Sequence, residues 1–318
     1  MRIQIYGAGI AGSFLHILLS RDFKTYVKDV RKEPDCICAW GTIYQEAREL
    51  YREIGVNFDE YILTRPRHII INNIMLRNVG FVTFDRRRLL HDLWSQLRFG
   101  EKEADIVIDA TGYERALLPK VAEDNLYPTI QFLEKHNIEE DVFIYIRRVG
   151  YAWAFPLGNH IWHVGAGGKN ISITKRLLKD LRRKYEFDNG TGSVCSCRGW
   201  VRLLPPSRCK PFIHENIVGV GEAIGCVSSF GEGNIPALRS AQILYESLRE
   251  DRLEKYEERI LREFKWIEME HKFVNRIQRG RKMAVLHLLP IVLYIESRRV
   301  AKPPRDLFRH LMRYLMKR

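Results

Sequence analysis

No stretch of this chain is long and apolar enough to cross a bilayer. The longest apolar run, Met283 to Ile295, has 13 residues and contains His287 and Pro290. A spanning helix needs roughly 20. Cysteine is scarce as well: six occur in 318 residues, at 36, 38, 195, 197, 209 and 226. They form two C-x-C pairs but no C-x2-C, the spacing of most zinc sites, so no metal is expected. Disulfides within these pairs stay open as an alternative to free thiols. Nor is a leader expected. Met1-Arg2-Ile3-Gln4-Ile5-Tyr6-Gly7 begins a strand-like run at once, with no apolar core or cleavage site ahead of it. The expectation is a cytoplasmic protein, soluble or peripheral at the inner face of a membrane. Repeats and low-complexity segments are absent. With 46% apolar and 29% charged residues, a disordered or collagen-like chain is excluded.

Acid is the remaining shortage, and it is local. The chain carries 52 Lys+Arg against 39 Asp+Glu, a net +13. From Lys272 to Arg318 thirteen basic residues meet only Glu296 and Asp306, so these 47 residues hold +11 of the total. Residues 1–271 are nearly balanced. Leu307, Phe308, Leu311, Met312, Leu315 and Met316 fall on one helix face, opposite Arg309, Arg313 and Lys317. A basic amphipathic helix of this kind suits an anionic membrane surface, reached through 272–318. The alternative is a helix docked on the core with a solvated basic face. No nucleic-acid-binding module is recognisable, and no nucleic-acid partner is expected.

What is present begins with glycine. Gly7-x-Gly9-x-x-Gly12 follows a strand and opens a helix. Gly7 permits the tight turn, Gly9 lets a pyrophosphate approach the backbone, and Gly12 lets helix and strand pack closely. Asp29 ends the next strand, where a carboxylate accepts hydrogen bonds from the ribose of adenosine. This pattern alone fits FAD and NAD equally. Strands are predicted at 24–29, within 67–83, at 105–109, through 129–166 and at 217–220. Helices are predicted at 42–54, 86–97, 172–185, 235–248 and throughout 250–318. In the last of these, Leu253, Tyr256, Ile260, Phe264, Ile267, Val274 and Ile277 recur at the spacing of one helix face.

Two later segments choose FAD. Asp105-Ile106-Val107-Ile108-Asp109-Ala110-Thr111-Gly112 and Gly219-Val220-Gly221-Glu222-Ala223-Ile224-Gly225 resemble the second and third strand-turns of para-hydroxybenzoate hydroxylase-type flavoproteins. Phe230-Gly231-Glu232-Gly233-Asn234 matches their G-x-G-x-N element, and Arg86 stands where they place an arginine before a helix. Gly150-Tyr151-Ala152-Trp153-Ala154-Phe155-Pro156 resembles the Y-x-W-x-F-P signature of the geranylgeranyl reductase family, and Cys38-Ala39-Trp40-Gly41 its C-x-x-G. The resemblance covers most of residues 1–245. Its departures are Arg148 where the family has proline, Glu222 for the usual aspartate, and a β-meander missing before the Asp109 strand.

The resemblance implies an α/β fold: an FAD-binding Rossmann-like domain of the para-hydroxybenzoate hydroxylase type, an interleaved β-sheet substrate domain and a helical C-terminus. The expected boundaries are 1–60, 84–118 and 214–249 for the first, 61–83 and 119–213 for the second, and 250–318 for the third. It implies FAD as cofactor, contacted by Gly7, Gly9, Gly12, Asp29, Arg86, Asp109, Gly112, Glu222, Gly225, Gly231, Gly233 and Asn234. It implies reduction of isoprenoid C=C bonds, with Cys38, Tyr151 and Trp153 at the reacting centre. Trp40, Gly41, Phe155 and Pro156 would line the lipid pocket. Alternation puts Tyr151, Trp153 and Phe155 on one strand face, an aromatic wall for an apolar chain. The proton donor stays open between Cys38, Tyr151 and a water. The electron donor stays open between reduced nicotinamide, ferredoxin and another carrier. A flavin monooxygenase or halogenase, and a silent flavin- or lipid-binding relative, are the competing readings.

Overall fold

The structure, a computed structural model, describes residues 1–34, 39–187, 195–281 and 286–304. Its first layer grows from β1 (Arg2–Tyr6), which pairs in parallel with β2 (Lys24–Lys28) and β8 (Ile106–Asp109). Ile3, Gln4 and Ile5 are all buried, as a parallel strand covered on both faces requires. β15 (Ile217–Gly219) extends the sheet in parallel, and β14 (Ile213–His214) closes it antiparallel, in the order β14-β15-β8-β1-β2. Helices α1 (Ile10–Leu19) and α5 (Asn234–Arg249) pack together on it. Phe14, Leu15, Leu18, Leu238 and Leu244 join Ile3 and Ile5 in one core.

Gly7 and Gly12 make this packing feasible. A Cβ on Gly12 would sit 1.9 Å from the Gly7 carbonyl oxygen, and one on Gly7 would sit 2.4 Å from the Ala110 oxygen. Gly7 also has φ +100°, a conformation that excludes most other residues. Gly9, by contrast, faces open space.

A short sheet of β3 (Gly41–Ile43), β7 (Phe81–Phe84) and β4 (Ile62–Thr64) bridges to the second layer. Helices α2 (Tyr44–Glu53) and α3 (Arg86–Trp94) flank it in sequence. The second layer has eight strands. They are β5 (His68–Ile71), β6 (Ile74–Asn78), β9 (Leu126–Lys135), β10 (Val142–Arg147), β11 (Gly150–Pro156), β12 (Ile161–Gly168), β13 (Cys195–Arg202) and β16 (Ala301–Lys302). Their order is β13-β9-β12-β11-β10-β5-β6-β16, and only β10 and β5 pair in parallel.

β11 sets the two faces of this sheet. Ala152 and Ala154 point to a core closed by α4 (Ile171–Lys184), with Val164, Ala166, Leu177 and Leu181. Tyr151, Trp153 and Phe155 take the other face. Their rings lie in a row, with centroids 5.7 Å and 6.3 Å apart. On the neighbouring strand Gly167 pairs with Tyr151 and Gly165 with Trp153. A Cβ on Gly165 would meet the indole at 2.4 Å. The small residues of β12 are the space the large rings of β11 occupy.

Between α3 and β8 no named strand intervenes, as expected from the short spacing. Residues 98–102 run instead beside the edge of the first sheet, bridged at Val27 and Phe99. The buried Gln4 amide anchors them, donating to the Gly100 carbonyl at 3.2 Å and accepting from Lys102 N–H at 2.9 Å.

The C-terminal region departs from the all-helical expectation. Its periodic face is broken at Phe264 into α6 (Tyr256–Glu263) and α7 (Lys265–Gln278). After α8 (Leu289–Arg299) the chain extends, and β16 pairs with β6. The Val300 carbonyl accepts from Val79 and Gly80 N–H, and Pro303 and Pro304 follow the strand. The amphipathic segment 305–318 lies outside the described residues.

Gly12→Ala is expected to cost about 1–3 kcal/mol of unfolding free energy in urea, because backbone must move to admit the methyl. Gly9→Ala, with φ −72° and no neighbour within 4 Å, should stay within about 1 kcal/mol of the parent. Equal losses in both variants would refute this division of roles.

Candidate functional site

The two layers enclose a cavity of about 1020 Å³ that runs from the glycine turn to the aromatic row. At its first end, Gly7 and Gly9 lie on the wall beneath the N-terminus of α1. That terminus has no side-chain cap and no acid in its first turn, so its free N–H groups present a positive end to the cavity. Arg86 also lines the cavity, and its buried Nε has no hydrogen-bond partner. Arg87 and Arg88 are exposed. Open space at Gly9, an uncapped helix end and an unmatched guanidinium together fit a phosphate-bearing ligand.

Asp29 lies at the cavity but is already saturated. Its oxygens accept from Ala8 N–H (2.6 Å), Arg31 N–H (2.8 Å), Arg31 Nε (2.9 Å) and the Arg31 terminal nitrogen (2.8 Å). A carboxylate has about four lone-pair sites. Burial raises its pKa, but the Arg31 and Ala8 bonds outweigh burial and hold it below the usual range. The Arg31 side chain lines the cavity beside it.

Asp109 turns out to build the turn rather than the wall. It is fully buried. One oxygen accepts from Thr111 N–H and Oγ, the other from Leu117 and Leu118 N–H, all within 3.1 Å. These bonds place Ala110, Thr111 and Gly112 on the wall, and Gly112 takes φ +68°. Gly12 and Gly225 likewise serve packing. A Cβ on Gly225 would strike Cys209 Sγ at 2.7 Å. Glu222 faces the cavity and accepts Arg202 N–H at 2.6 Å. Burial pushes its carboxyl up to about 7, against the pull of Arg202.

Further in, Gly231, Gly233 and Asn234 open α5 on the cavity wall. Asn234 Nδ2 donates to the Gly41 carbonyl at 3.0 Å, which ties α5 to the bridging sheet. Gly231, at φ +86°, clears the Tyr151 hydroxyl, which a Cβ there would meet at 2.1 Å. Tyr151, Trp153, Phe155 and Gly41 line the cavity together. Trp40 and Pro156 do not. Trp40 stacks on His163 behind the wall, and the Pro156 carbonyl accepts from Thr64 and Thr83. Trp153 offers only its ring, since its Nε1–H is donated to His163 Nδ1 at 3.0 Å. Burial lowers His163 to about 3, so the imidazole stays a neutral acceptor. Cys38 lies outside the described residues.

Helices α7 and α8 close the far side, a contribution no motif announced. Phe273, Val274, Leu289, Val292 and Leu293 add apolar wall, and Glu232, Glu296 and Arg299 add charge. Arg299 pairs with Glu46 at 2.9 Å and Glu232 at 3.4 Å and lies over the Trp266 ring. Burial pushes Glu232 up to about 7 despite Arg299. Among the described residues no His/Cys/Asp/Glu group is arranged for a metal.

No family model matches the chain. An uncharacterized protein of Methanocaldococcus jannaschii is 26% identical, over 86% of this chain and 92% of the relative. Solved structures share the fold. A geranylgeranyl bacteriochlorophyll reductase-like protein of Thermoplasma acidophilum has a TM-score of 0.70 at 20% identity, covering 87% of this chain and 86% of that one. A flavoprotein/dehydrogenase of Cytophaga hutchinsonii has a TM-score of 0.66 at 15% identity, covering 88% and 87%. HpxO of Klebsiella pneumoniae, solved with FAD and uric acid, has a TM-score of 0.64 at 13% identity, covering 90% and 91%. The α/β fold of para-hydroxybenzoate hydroxylase type, expected from the motifs, is the fold observed.

Asp109→Asn should lower the unfolding free energy by about 1–3 kcal/mol, since an amide cannot accept from all four donors. Urea denaturation reads this directly. A variant of unchanged stability that only binds ligand more weakly would put the carboxylate back on the cavity wall.

Proposed function

We propose that this chain is an FAD-dependent oxidoreductase that saturates C=C bonds of isoprenoid chains. The observation that carries the proposal is one continuous cavity with two chemistries. Its glycine-turn end suits a dinucleotide phosphate, and its other end is walled by aromatic and aliphatic side chains. Gly9 and the α1 N-terminus would hold the pyrophosphate, with Arg86 beside it. Glu222 and the Gly231–Asn234 turn would meet the flavin side, where the α5 N-terminus favours negative charge. Reduced FAD, when bound, supplies a hydride equivalent.

The protein's own part is placement. An alkene without an activating group gives polar side chains little to grip, so orientation rests on shape. Tyr151, Trp153 and Phe155 form an aromatic wall whose rings fit where Gly165 and Gly231 carry no side chain. Ile69, Ile144, Val292 and Leu293 complete an apolar channel. Adenosine would meet Arg31 rather than Asp29, which keeps Asp29 as the group that aims Arg31.

The basic C-terminal region supports docking at an anionic membrane surface, from which a lipid chain could enter. Ile277, Ile291 and Tyr294 are exposed on α7 and α8, near the exposed Arg279, Arg281 and Arg298. No helix among the described residues is long and apolar enough to cross a membrane.

Purified protein should bind FAD and show the visible flavin spectrum. Arg86→Ala should raise the FAD dissociation constant about tenfold or more, given the worth of a charge-assisted contact. Reduced protein incubated with a prenyl lipid should yield product heavier by two hydrogens per bond. FAD binding without any mass change across several chain lengths would remove the reductase reading. Separately, vesicles rich in anionic lipid should sediment the full chain, and rising salt should release it. Equal binding to neutral vesicles would refute the electrostatic docking.

A further inference from the structure

The C-terminal helices bring a pair of carboxyl groups to the cavity that the reading above leaves without a role. Glu270, on α7, is fully buried. Its Oε2 accepts the Ser228 hydroxyl at 2.7 Å. The Glu296 carboxyl of α8 lies beside it. The Oε1 atoms of both are buried and meet no N–H or O–H group of the described chain. Two carboxyl groups side by side are matched only when a proton on one of them supplies a hydrogen bond to the other. Two ionised carboxylates there would repel. Burial first, and then Glu296, pushes Glu270 well above the usual carboxyl range.

The surrounding charges leave room for that proton. Glu46, Glu232 and Glu296 converge on one guanidinium, Arg299, which lies 3.9 Å from Glu296, so no second cation is left for Glu270 among these pairs. His271, the next residue on α7, contributes no charge: its Nε2 lies 3.0 Å from the Val227 carbonyl, and burial lowers its pKa. Glu296, Ser228 and Ser229 line the cavity, while Glu270 sits behind them.

We propose that Glu270 and Glu296 share one proton, and that Glu296 delivers it into the cavity as the acid of the reduction. Glu270 is the positioning residue. The proposal rests on the reductive reading above and deepens it. Saturation of a C=C bond needs a hydride equivalent at one carbon, for which reduced FAD is the reductant, and a proton at the other. The alkene π pair takes that proton: the Glu296 O–H bond breaks and a C–H bond forms. Both carboxyls are then ionised, with Arg299 facing Glu296 and the Ser228 hydroxyl donating to Glu270, until solvent returns the proton after release.

Infrared difference spectroscopy of the full chain, titrated from about pH 5 to about pH 9 to span the carboxyl range and beyond, tests the shared proton without turnover. At about pH 9, above the range in which Glu222 and Glu232 lose their protons, a protonated-carboxyl C=O band, shifted in D2O, should remain. Glu296→Gln and Glu270→Gln should each remove it, and Glu296→Asp should keep it. No such band in the wild type, or a band that survives both Gln variants, overturns the pair. Thermal unfolding of each variant confirms that it is folded. In turnover with a prenyl lipid, Glu296→Gln should lower kcat about a hundredfold with KM nearly unchanged, and Glu296→Asp should recover part of the loss. Full activity in Glu296→Gln overturns the acid role alone. A wild type that shows the band yet never reduces the lipid refutes the reaction, and the acid role with it, while the shared proton stands.

Discussion

One buried guanidinium joins the two layers that make the cavity. Arg202 ends β13 in the large sheet, and only 2% of it is exposed. Its side chain forms a two-pronged pair with Asp124 and donates to the Tyr113 and Glu222 carbonyls of the first layer. Its own N–H caps the Glu222 carboxylate. A cation can be buried this deeply only when every donor is matched, and removing one partner of such a pair typically costs about 3–5 kcal/mol. Arg115 acts alongside it, donating to the carbonyls of Pro119, Pro211 and Ala223. The turn after β8 and the turn after β15 are thereby held at a fixed distance from the large sheet. The cavity is the gap that these contacts keep open.

The same logic sorts the polar residues of the site into two kinds. Asp29, Asp109 and Asn234 have their hydrogen-bonding capacity spent on the protein, and they position backbone. Arg86 and Glu296 each keep a buried, unmatched atom at the cavity. A buried polar atom left unmatched is costly, so the second kind marks where a ligand or a proton is needed. Trp153 shows that a ring can belong to both. Its edge is tied to His163 while its face is left to the cavity.

Much of this was legible in the sequence because it is local. The glycine turn, the strand–helix alternation that follows it, and the Ala–aromatic alternation of β11 each depend on spacing within about ten residues, whereas no sequence pattern announced β3, β4 or the edge strand β13. The site details that escaped depend on side-chain contacts that spacing does not encode. Arg31, two residues beyond Asp29, folds back on it and takes its lone pairs, which no strand pattern reveals. Trp40 and Pro156 sit in the family's signature segments, yet neither lines the cavity: Trp40 stacks on His163, and the alternation of β11 puts Pro156 on the face opposite Phe155. Glu46 and Arg299 pair across 253 residues, and Ser228 reaches Glu270 across 42. Periodicity marks α7 as amphipathic, but a glutamate on its buried face looks in sequence like any solvated acid.

The basic excess needs a divided reading for this reason. Composition makes 272–318 look like an appendage to a balanced body. Yet Arg299 is 16% exposed in its side chain and is held by acids from α2 and from the turn before α5. The inner faces of α7 and α8 complete the cavity, so part of the basic region belongs to the core. Among the described residues of this region, outer ones such as Ile291, Tyr294 and Arg298 are exposed to a surface. A helix with one face in the cavity wall and the other toward a membrane would couple docking to cavity shape. Any shift of α8 on docking would move Glu296 and Arg299 together, because the two share one helix turn.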